Sequence, residues 1–410
     1  MSNVPVVRFN GFDDEWADKK LGDVTKRVKG NDGRMELPTL TISASQGWMD
    51  QIDRFSSNIA GNEQKNYTLL KKNDLSYNHG NSKIAKYGVV FSLDSYEEAL
   101  VPRVYHSFRT TNDSFSLFIE YLFLTKKPDR ELRKLVSSGA RMDGLLNINY
   151  ESFMGINIMF PSLPEQKKIG NFFKLLDDTI ALHQKELDAL KQAKQGFLQK
   201  MFPADGEKVP KIRYPEFSDD WVETKLGDIG DTYNGLTGKT KLDFGHGKGK
   251  FITYLNVNKN TFSDFNGVGN IEKDIKQNEV VFGDVLFTVS SETPEEVGLS
   301  SVWLGKMSNV YLNSFCFGYR LHEEVDYYFI GYVLRSNSVR KKIKLLAQGI
   351  SRYNISKSKV MDTSLLFPEL EEQTKIGKFF QKIDKSIALE EQKLDDLKNA
   401  KKSFLQKMFI

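Results

Sequence analysis

The chain has 410 residues, of which 40% are hydrophobic and 12% aromatic, so it can bury the cores of about two or three domains and is not a disordered protein. Its formal net charge of +4 permits a polyanionic partner but does not require one. The single cysteine, Cys316, excludes an internal disulfide framework and a cysteine zinc cluster. The first residues lack a signal pattern, and no apolar run approaches the roughly 18 residues of a membrane span. We therefore expect a soluble cytoplasmic protein.

Two segments occur twice along the chain. Residues 8–16 and 20–24 return at an offset of 205 as residues 213–221 and 225–229. The longer repeat matches residues 160–202 to residues 367–409 without a gap, and 26 of its 43 aligned positions are identical. Similarity on this scale indicates that one unit is written twice.

The repeat divides the chain into five predicted segments. They are a first module at 1–160, a helix at 161–202, a linker at 203–211, a second module at 212–366 and a second helix at 367–410. We expect an α+β fold with two tandem modules of mixed sheet plus helices. The two long helices join the modules and form an antiparallel coiled coil, which gives the chain a pseudo-two-fold symmetry.

Between the matched segments the similarity fades, and the clearest difference lies in one loop. Residues 78–87 are basic, whereas the corresponding residues 288–297 are acidic. A shared scaffold with unlike loops favours two copies of one task on different targets. The alternative is drift after duplication.

Both long helices carry an apolar heptad seam, in which steps of four and three residues alternate. The seam positions are Ile169, Phe173, Leu176, Ile180, His183, Leu187 and Leu190, and in the second copy Ile376, Phe380, Ile383, Ile387, Glu390, Leu394 and Leu397. The short linker favours an antiparallel pair with the modules at opposite ends. His183 and Glu390 should then lie within about one turn of each other, where polar seam residues fix register more often than they perform chemistry.

Catalytic motifs are not found in the sequence. The glycine-rich run at residues 245–250 lacks the spacing of a phosphate-binding loop and is interpreted as a basic loop. No H-E-x-x-H or amino-methyltransferase motif occurs. Residues 128–131 fit the start of a helix better than a nuclease carboxylate pair. The sequence therefore predicts a protein that is non-catalytic by itself and binds no metal.

Residue types that contact DNA occur on predicted loops of both modules. Lysine and arginine neutralise phosphates, and Asn, Ser, His and Arg reach base edges in the major groove. In the first module they are His79, Asn81, Ser82, Lys83, Lys86, Tyr87, Arg103, Arg109 and Arg141. In the second module they are Lys239, Lys241, His246, Lys248, Lys250, Ser290, Ser291, Thr293, Arg352 and Tyr353. Each residue alone is more often a solvated surface residue, and the duplication makes the set a candidate site.

The ordered combination of these segments resembles the specificity subunit of type I restriction–modification systems. The resemblance spans essentially the whole chain. It is carried by the Trp16 and Trp221 openings with their following Lys-Leu-Gly-Asp, by Asp284-Val285-Leu286-Phe287, by the helices, and by Pro-x-Leu-x-Glu-Gln-x-x-Ile at residues 161–169 and 368–376.

The resemblance implies that each module is a target-recognition domain for one half of a split double-stranded DNA sequence. It implies that the helices set the gap between the halves. Two modification subunits would carry S-adenosylmethionine, and restriction/translocase subunits would supply ATP- and Mg-dependent chemistry, with no cofactor on this chain and no membrane contact. Two alternatives are a self-contained restriction or modification enzyme, and a coiled-coil scaffold that binds protein or RNA.

Overall fold

The chain forms two compact units, each of which takes one half of each long helix. Unit 1 is Met1–Gln184 with Gln392–Ile410, and unit 2 is Lys185–Glu391. The structure is a computed structural model that describes residues 3–56, 61–80, 82–136, 146–350 and 352–410. Within these ranges, no helix has both the length and the apolar character needed to cross a membrane.

Unit 1 consists of short strands and helices followed by the first half of a long helix. Its strands are Ala17–Lys20 (β1), Thr25–Arg27 (β2), Leu40–Ser43 (β3), Gly47–Asp50 (β4), Thr68–Lys71 (β5), Leu75–Asn78 (β6), Val89–Ser92 (β7), Glu98–Val101 (β8), His106–Thr110 (β9) and Asn157–Phe160 (β10). Its helices are Gln51–Phe55 (α1), Ser116–Leu124 (α2), Asp129–Leu135 (α3), Tyr150–Met154 (α4) and the long Leu163–Lys200 (α5), with 3-10 turns at Leu21–Asp23 and Gly61–Asn66. The predicted helix start at residues 128–131 is confirmed by α3.

Unit 2 repeats this plan after the second half of α5. Its strands are Val222–Lys225 (β11), Gly230–Asn234 (β12), Phe244–Ile252 (β13), Val268–Ile271 (β14), Val285–Thr288 (β15), Ser290–Ser291 (β16), Ser300–Val302 (β17), Val310–Leu312 (β18), Cys316–Leu321 (β19), Tyr353–Asn354 (β20) and Ser364–Phe367 (β21). Its helices are Leu226–Ile229 (α6), Tyr254–Lys259 (α7), Tyr327–Leu334 (α8), Asn337–Leu345 (α9), Lys357–Met361 (α10) and the long Leu370–Lys407 (α11), with a 3-10 turn at Lys241–Asp243.

The same antiparallel sheet forms in both units, and we call it the frame sheet. Its strand order is β2–β9–β6–β7 in unit 1 and β12–β19–β15–β17 in unit 2. A second repeated feature pairs the opening strand with the strand before the long helix, β1 with β10 and β11 with β21. Duplicated sequence at the two ends of each copy thus produces the same pairing twice.

The strands outside these repeated sheets differ, and we call them the inserts. The insert of unit 1 contains the hairpin β3–β4 and the pair β5–β8, packed over a small core that includes Leu40, Leu70 and Tyr105. The insert of unit 2 contains the three-stranded sheet β14–β13–β18, with Ile271 and Tyr311 in its core. The inserts coincide with the part of the sequence in which the repeat fades.

Aromatic residues from three parts of the chain form the core of each unit. In unit 1 the Phe409 ring lies 6.3 Å from Trp16, 5.5 Å from Phe118 and 5.8 Å from Phe173. In unit 2 the corresponding ring contacts place Phe202 6.4 Å from Trp221, 5.8 Å from Phe329 and 5.8 Å from Phe380. The identical closing strings of α5 and α11 therefore complete equivalent cores.

Within each unit, the halves of α5 and α11 run antiparallel, as predicted. In unit 1 the Phe172 and Phe404 rings are 5.2 Å apart, and Asp177 further along α5 pairs with the earlier residue Lys401. In unit 2 Lys194 pairs with Asp384 at 2.5 Å, and Lys191 pairs with the later residue Glu391 at 2.7 Å. Every predicted seam position is buried or half-buried. The predicted proximity of the side chains of His183 and Glu390 stays a prediction.

A buried ion pair fixes the first turn of each long helix. Arg8 donates to both carboxylate oxygens of Glu165, at 2.7 and 2.8 Å, and Arg213 donates in the same way to Glu372 at 2.8 Å. Both glutamate side chains are completely buried. A carboxylate in the first helical turn also interacts favourably with the positive end of the helix dipole. This explains why glutamate occurs at the same place in both helix-entry motifs.

Candidate nucleic-acid interface

Each frame sheet contains one arginine–aspartate pair at an equivalent position. In unit 1 Arg109 donates to both oxygens of Asp74 at 2.6 and 2.7 Å, and in unit 2 Arg320 donates to both oxygens of Asp284 at 2.8 and 2.7 Å. Both aspartates are buried. Arg109 lies on strand β9 and not on the predicted loop, and its guanidinium satisfies the buried Asp74 carboxylate. Arg109 thus stabilises the frame sheet, and since its side chain is 49% exposed, its contact with DNA stays a prediction.

His79 lies in the core of unit 1 and not on an exposed loop. Its side chain is 7% exposed, its Nδ1 lies 2.9 Å from the Leu146 carbonyl oxygen, and its ring is 4.9 Å from that of His106. Burial lowers the pKa of the neighbouring His106. The two imidazoles thus form part of an aromatic cluster with Tyr77, and sequence reasoning took the polar ring as a surface residue.

The remaining described residues of the first predicted loop are on the surface. Ser82, Lys83 and Lys86 are exposed, and Tyr87 is half-buried. The amide of Ala85 donates to Ser82 Oγ at 3.1 Å, which closes a turn and projects the lysines outward. Asn81 and Arg141 lie outside the described residues.

Unit 1 also contains a polar cleft of about 460 Å³. The predicted residue Arg103 lines it together with residues that the sequence analysis missed: Arg27, Lys29, His106, Asn149 and Tyr150. The Arg27 guanidinium is stacked 4.1 Å above the Tyr150 ring. Three cations among the four residues Lys26-Arg27-Val28-Lys29 were a signal from which this site could have been predicted. Cations beside a half-buried aromatic ring suit contacts with a phosphate backbone and with bases.

In unit 2 the predicted basic residues of the β13 region belong to the insert. Lys241, His246 and Lys248 are exposed. Lys239 is held by Asp274 at 2.8 Å, and Lys250 donates to Asn270 Oδ1 at 2.6 Å. Lys241 and Lys248 can meet an external anion directly, whereas Lys239 and Lys250 already have protein partners. The His246 Nδ1 lies 3.2 Å from the Phe244 carbonyl oxygen.

The acidic loop of unit 2, residues 291–297, is fixed onto helix α9. Arg340 donates to the carbonyl oxygens of Glu295, Val297 and Gly298 at 2.7–2.9 Å. Burial lowers the pKa of Arg340 to about 10. Gly298 has a φ of +62°, and a Cβ there would lie 2.6 Å from Ile343 Cγ2, so this turn requires glycine. The loop is thus rigid and not a free arm.

The predicted contact residues within and beside this loop differ in how far their side chains are exposed. Ser291 is 4% exposed and donates to Glu296 Oε2 at 3.1 Å, so it is a core residue and not a surface one. Ser290 is half-buried, because β16 pairs there with β20. Thr293 and Arg352 are exposed and Tyr353 is half-buried.

The sequence comparisons agree with the duplicated structure. The family model of the type I restriction modification DNA specificity domain matches residues 13–192 and again residues 218–399. The MjaVIII type I restriction enzyme specificity subunit of Methanocaldococcus jannaschii is 23% identical over 323 residues, covering 70% of this chain and 68% of that protein.

Two solved structures share the fold. The S subunit of a type I restriction-modification system from M. genitalium aligns with a TM-score of 0.58 at 12% identity, over 99% of both chains. A chain from work on complex assembly and conformational transition of the type I R-M system aligns with a TM-score of 0.52 at 14% identity, over 98% of this chain and 99% of that one. Because the two family matches cover most of the sequence and each falls on one copy of the repeat, the chain belongs to the type I restriction modification DNA specificity family.

Proposed function

We propose that unit 1 and unit 2 each read one half of a bipartite double-stranded DNA target. The observation that carries this proposal is the contrast between the repeated frame sheets and the unlike inserts. Equal frames would present their inserts to DNA in an equivalent way, and unlike inserts would contact different bases. Good base contacts contribute about 1–3 kcal/mol of discrimination each, so several contacts per unit suffice for a specific target.

As a member of this family the chain is a DNA specificity subunit, a recognition component of a type I complex and not its catalytic part. Its finer partners are proposals. Two modification subunits would bind, since the chain contains two equivalent frames, and restriction/translocase subunits would join them. S-adenosylmethionine, ATP and Mg would reside on those partners.

The test is an exchange of residues 30–150 for the corresponding segment of another family member. In cells that carry the complete system, sequencing of methylated sites should show one half of the target changed and the other half kept, because the exchanged segment lies entirely within unit 1. A matched exchange of residues 235–350 should change only the other half.

A change in both halves after either exchange would contradict modular reading. Methyl transfer by the purified chain alone would favour the alternative of a self-contained enzyme. Equal binding of the assembled complex to duplex DNA, RNA and unrelated protein would favour a scaffold.

We also propose that the two long helices set the gap between the half-sites. Each spans 38 residues, which corresponds to about 57 Å at 1.5 Å per residue. Removal of seven residues, one heptad, from both helices keeps each seam in phase and shortens each helix by about 10 Å. The methylated target should then keep both half-sites and have a gap shorter by about three base pairs at roughly 3.4 Å each. An unchanged gap would refute this role. The surface substitution Lys398→Gln, which alters neither the helix length nor the seam, serves as the control.

A further inference from the structure

Two completely solvent-facing aliphatic side chains project from the insert of unit 2. Ile275 is 99% exposed and Leu242 is 86% exposed. They lie on two neighbouring loops, residues 239–242 and 274–277, which we call the tip. Single exposed apolar residues are common on protein surfaces, so their exposure alone has no meaning. The remaining contacts of the tip are what make it a candidate site.

The two loops of the tip are held by polar contacts that fix the chain on either side of the aliphatic residues. Lys239 Nζ lies 2.8 Å from Asp274 Oδ2, and this pairing, with the Lys276 amide, holds the pKa of Asp274 at about 2. Gln277 accepts from the Thr237 amide at 2.9 Å and donates to the Thr237 carbonyl at 3.1 Å. The Asp274 amide donates to the Tyr311 hydroxyl at 3.0 Å, which ties the tip to the insert core. The tip is therefore preorganised, as a recognition surface requires.

The charge around the tip suits a polyanion. Residues 239–250 and 272–277 contain six lysines against three carboxylates. Lys241 and Lys276 stand next to the two aliphatic side chains in sequence and are exposed, and within the described part of the chain neither has an ion-pair partner. An exposed apolar pair flanked by free cations fits the edge of a DNA groove better than a protein surface, which usually requires about 800 Å² per partner.

We propose that Ile275 and Leu242 contact thymine C5-methyl groups in the major groove, with Lys241 and Lys276 on the adjacent phosphates. Among the four bases, thymine presents an apolar group, its C5-methyl, on the major-groove edge. Aliphatic side chains recognise this methyl group by contact. This inference rests on the proposed function of unit 2, and it identifies residues that determine the specificity of that unit.

The experiment uses the assembled modification complex and its own target, defined by sequencing methylated sites and assigned to unit 2 by the exchange of residues 235–350. Each thymine of that half-site is replaced in turn by deoxyuridine, which removes only the C5-methyl group. Wild-type complex should bind at least one such duplex about fourfold more weakly, the effect of one buried methyl group at about 0.8 kcal/mol. Ile275→Ala or Leu242→Ala should weaken binding to the thymine duplex and lose this sensitivity to deoxyuridine.

Leu345→Ala provides the matched control, since Leu345 is 79% exposed on α9 but lies outside the tip. It should keep the full response to deoxyuridine. Sensitivity to deoxyuridine that remains in both tip variants, no sensitivity in the wild type, or a half-site without any A·T pair would each overturn the proposed methyl contact. Specific binding that persists in those cases leaves the proposed function intact, whereas a wild-type complex without any sequence preference counts against the proposed function itself.

The lysines supply a second readout. Lys241→Ala and Lys276→Ala should each reduce the slope of log K against log salt by about 0.9, and equally for specific and unrelated duplexes, because phosphate contacts carry no sequence information. If both substitutions left the salt slope unchanged, the tip would not contact the DNA backbone, and the inference would be overturned.

Discussion

Replacement of Phe409 by alanine is expected to unfold unit 1 selectively. The Phe409 side chain is 2% exposed and packs against Trp16, Phe118 and Phe173. Loss of a buried phenylalanine ring costs about 3–5 kcal/mol, because the transfer free energy is lost and a cavity remains. Hydrogen–deuterium exchange in increasing urea should show earlier exposure of peptides from residues 16–160, while peptides from residues 221–367 keep their protection.

The repeat itself offers the matched control. Phe202 is the equivalent of Phe409 and packs against Trp221, Phe329 and Phe380. Phe202→Ala should produce the opposite pattern, with unit 2 exposed first and unit 1 protected. If both variants weakened the same unit, or neither unit, the assignment of the two helix ends to separate cores would be wrong.

Replacement of Glu372 by glutamine is expected to lower the free energy of unfolding of unit 2 by about 3–5 kcal/mol. Arg213 is then left with a poor partner at a site where the carboxylate was completely buried. A buried charge without its counter-ion costs more than the intact pair contributes, since the desolvation penalty of the remaining guanidinium is no longer repaid. The urea midpoint of unit 2 gives the measurement, followed by exchange of peptides from residues 364–385.

A double-mutant cycle separates the loss of the pair from the loss of packing. Addition of Arg213→Met to Glu372→Gln should recover much of the stability, because no uncompensated charge remains. The equivalent Glu165→Gln should weaken unit 1 and not unit 2. Additive costs of the two substitutions at positions 213 and 372 would show that the pair does not act as a unit.

Sequence reasoning predicted the elements that depend on periodicity and repetition. The heptad spacing of residues such as Phe173 and Phe380 requires a buried helical stripe wherever it occurs, and the structure has both long helices within three residues of the predicted bounds. The repeat of the opening and closing segments predicted two copies of one fold, which the frame sheets show.

The candidate site was less predictable because exposure depends on tertiary neighbours. His79 belongs to a residue type that usually faces water, yet a ring cluster draws it into the core. Arg109 pairs with the buried Asp74 while its side chain stays 49% exposed. In contrast, Ile275 and Leu242 belong to types that usually face inward, and the loop contacts of Asp274 and Gln277 hold them outward. No local pattern in the sequence encodes these departures from the exposure that is usual for each residue type.

The assignment of residues Gln392–Ile410 to unit 1 has a consequence for synthesis on the ribosome. The aromatic face around Trp16 and Phe173 is translated early, but Phe409, which closes it, follows Phe173 by 236 residues (409 − 173). At about 5–20 residues per second, that face waits roughly 10–45 s, while unit 2 already has all of its own residues, Lys185–Glu391. Unit 2 thus has its full set of residues before unit 1, and the nascent unit 1 exposes its aromatic face to solvent during that interval.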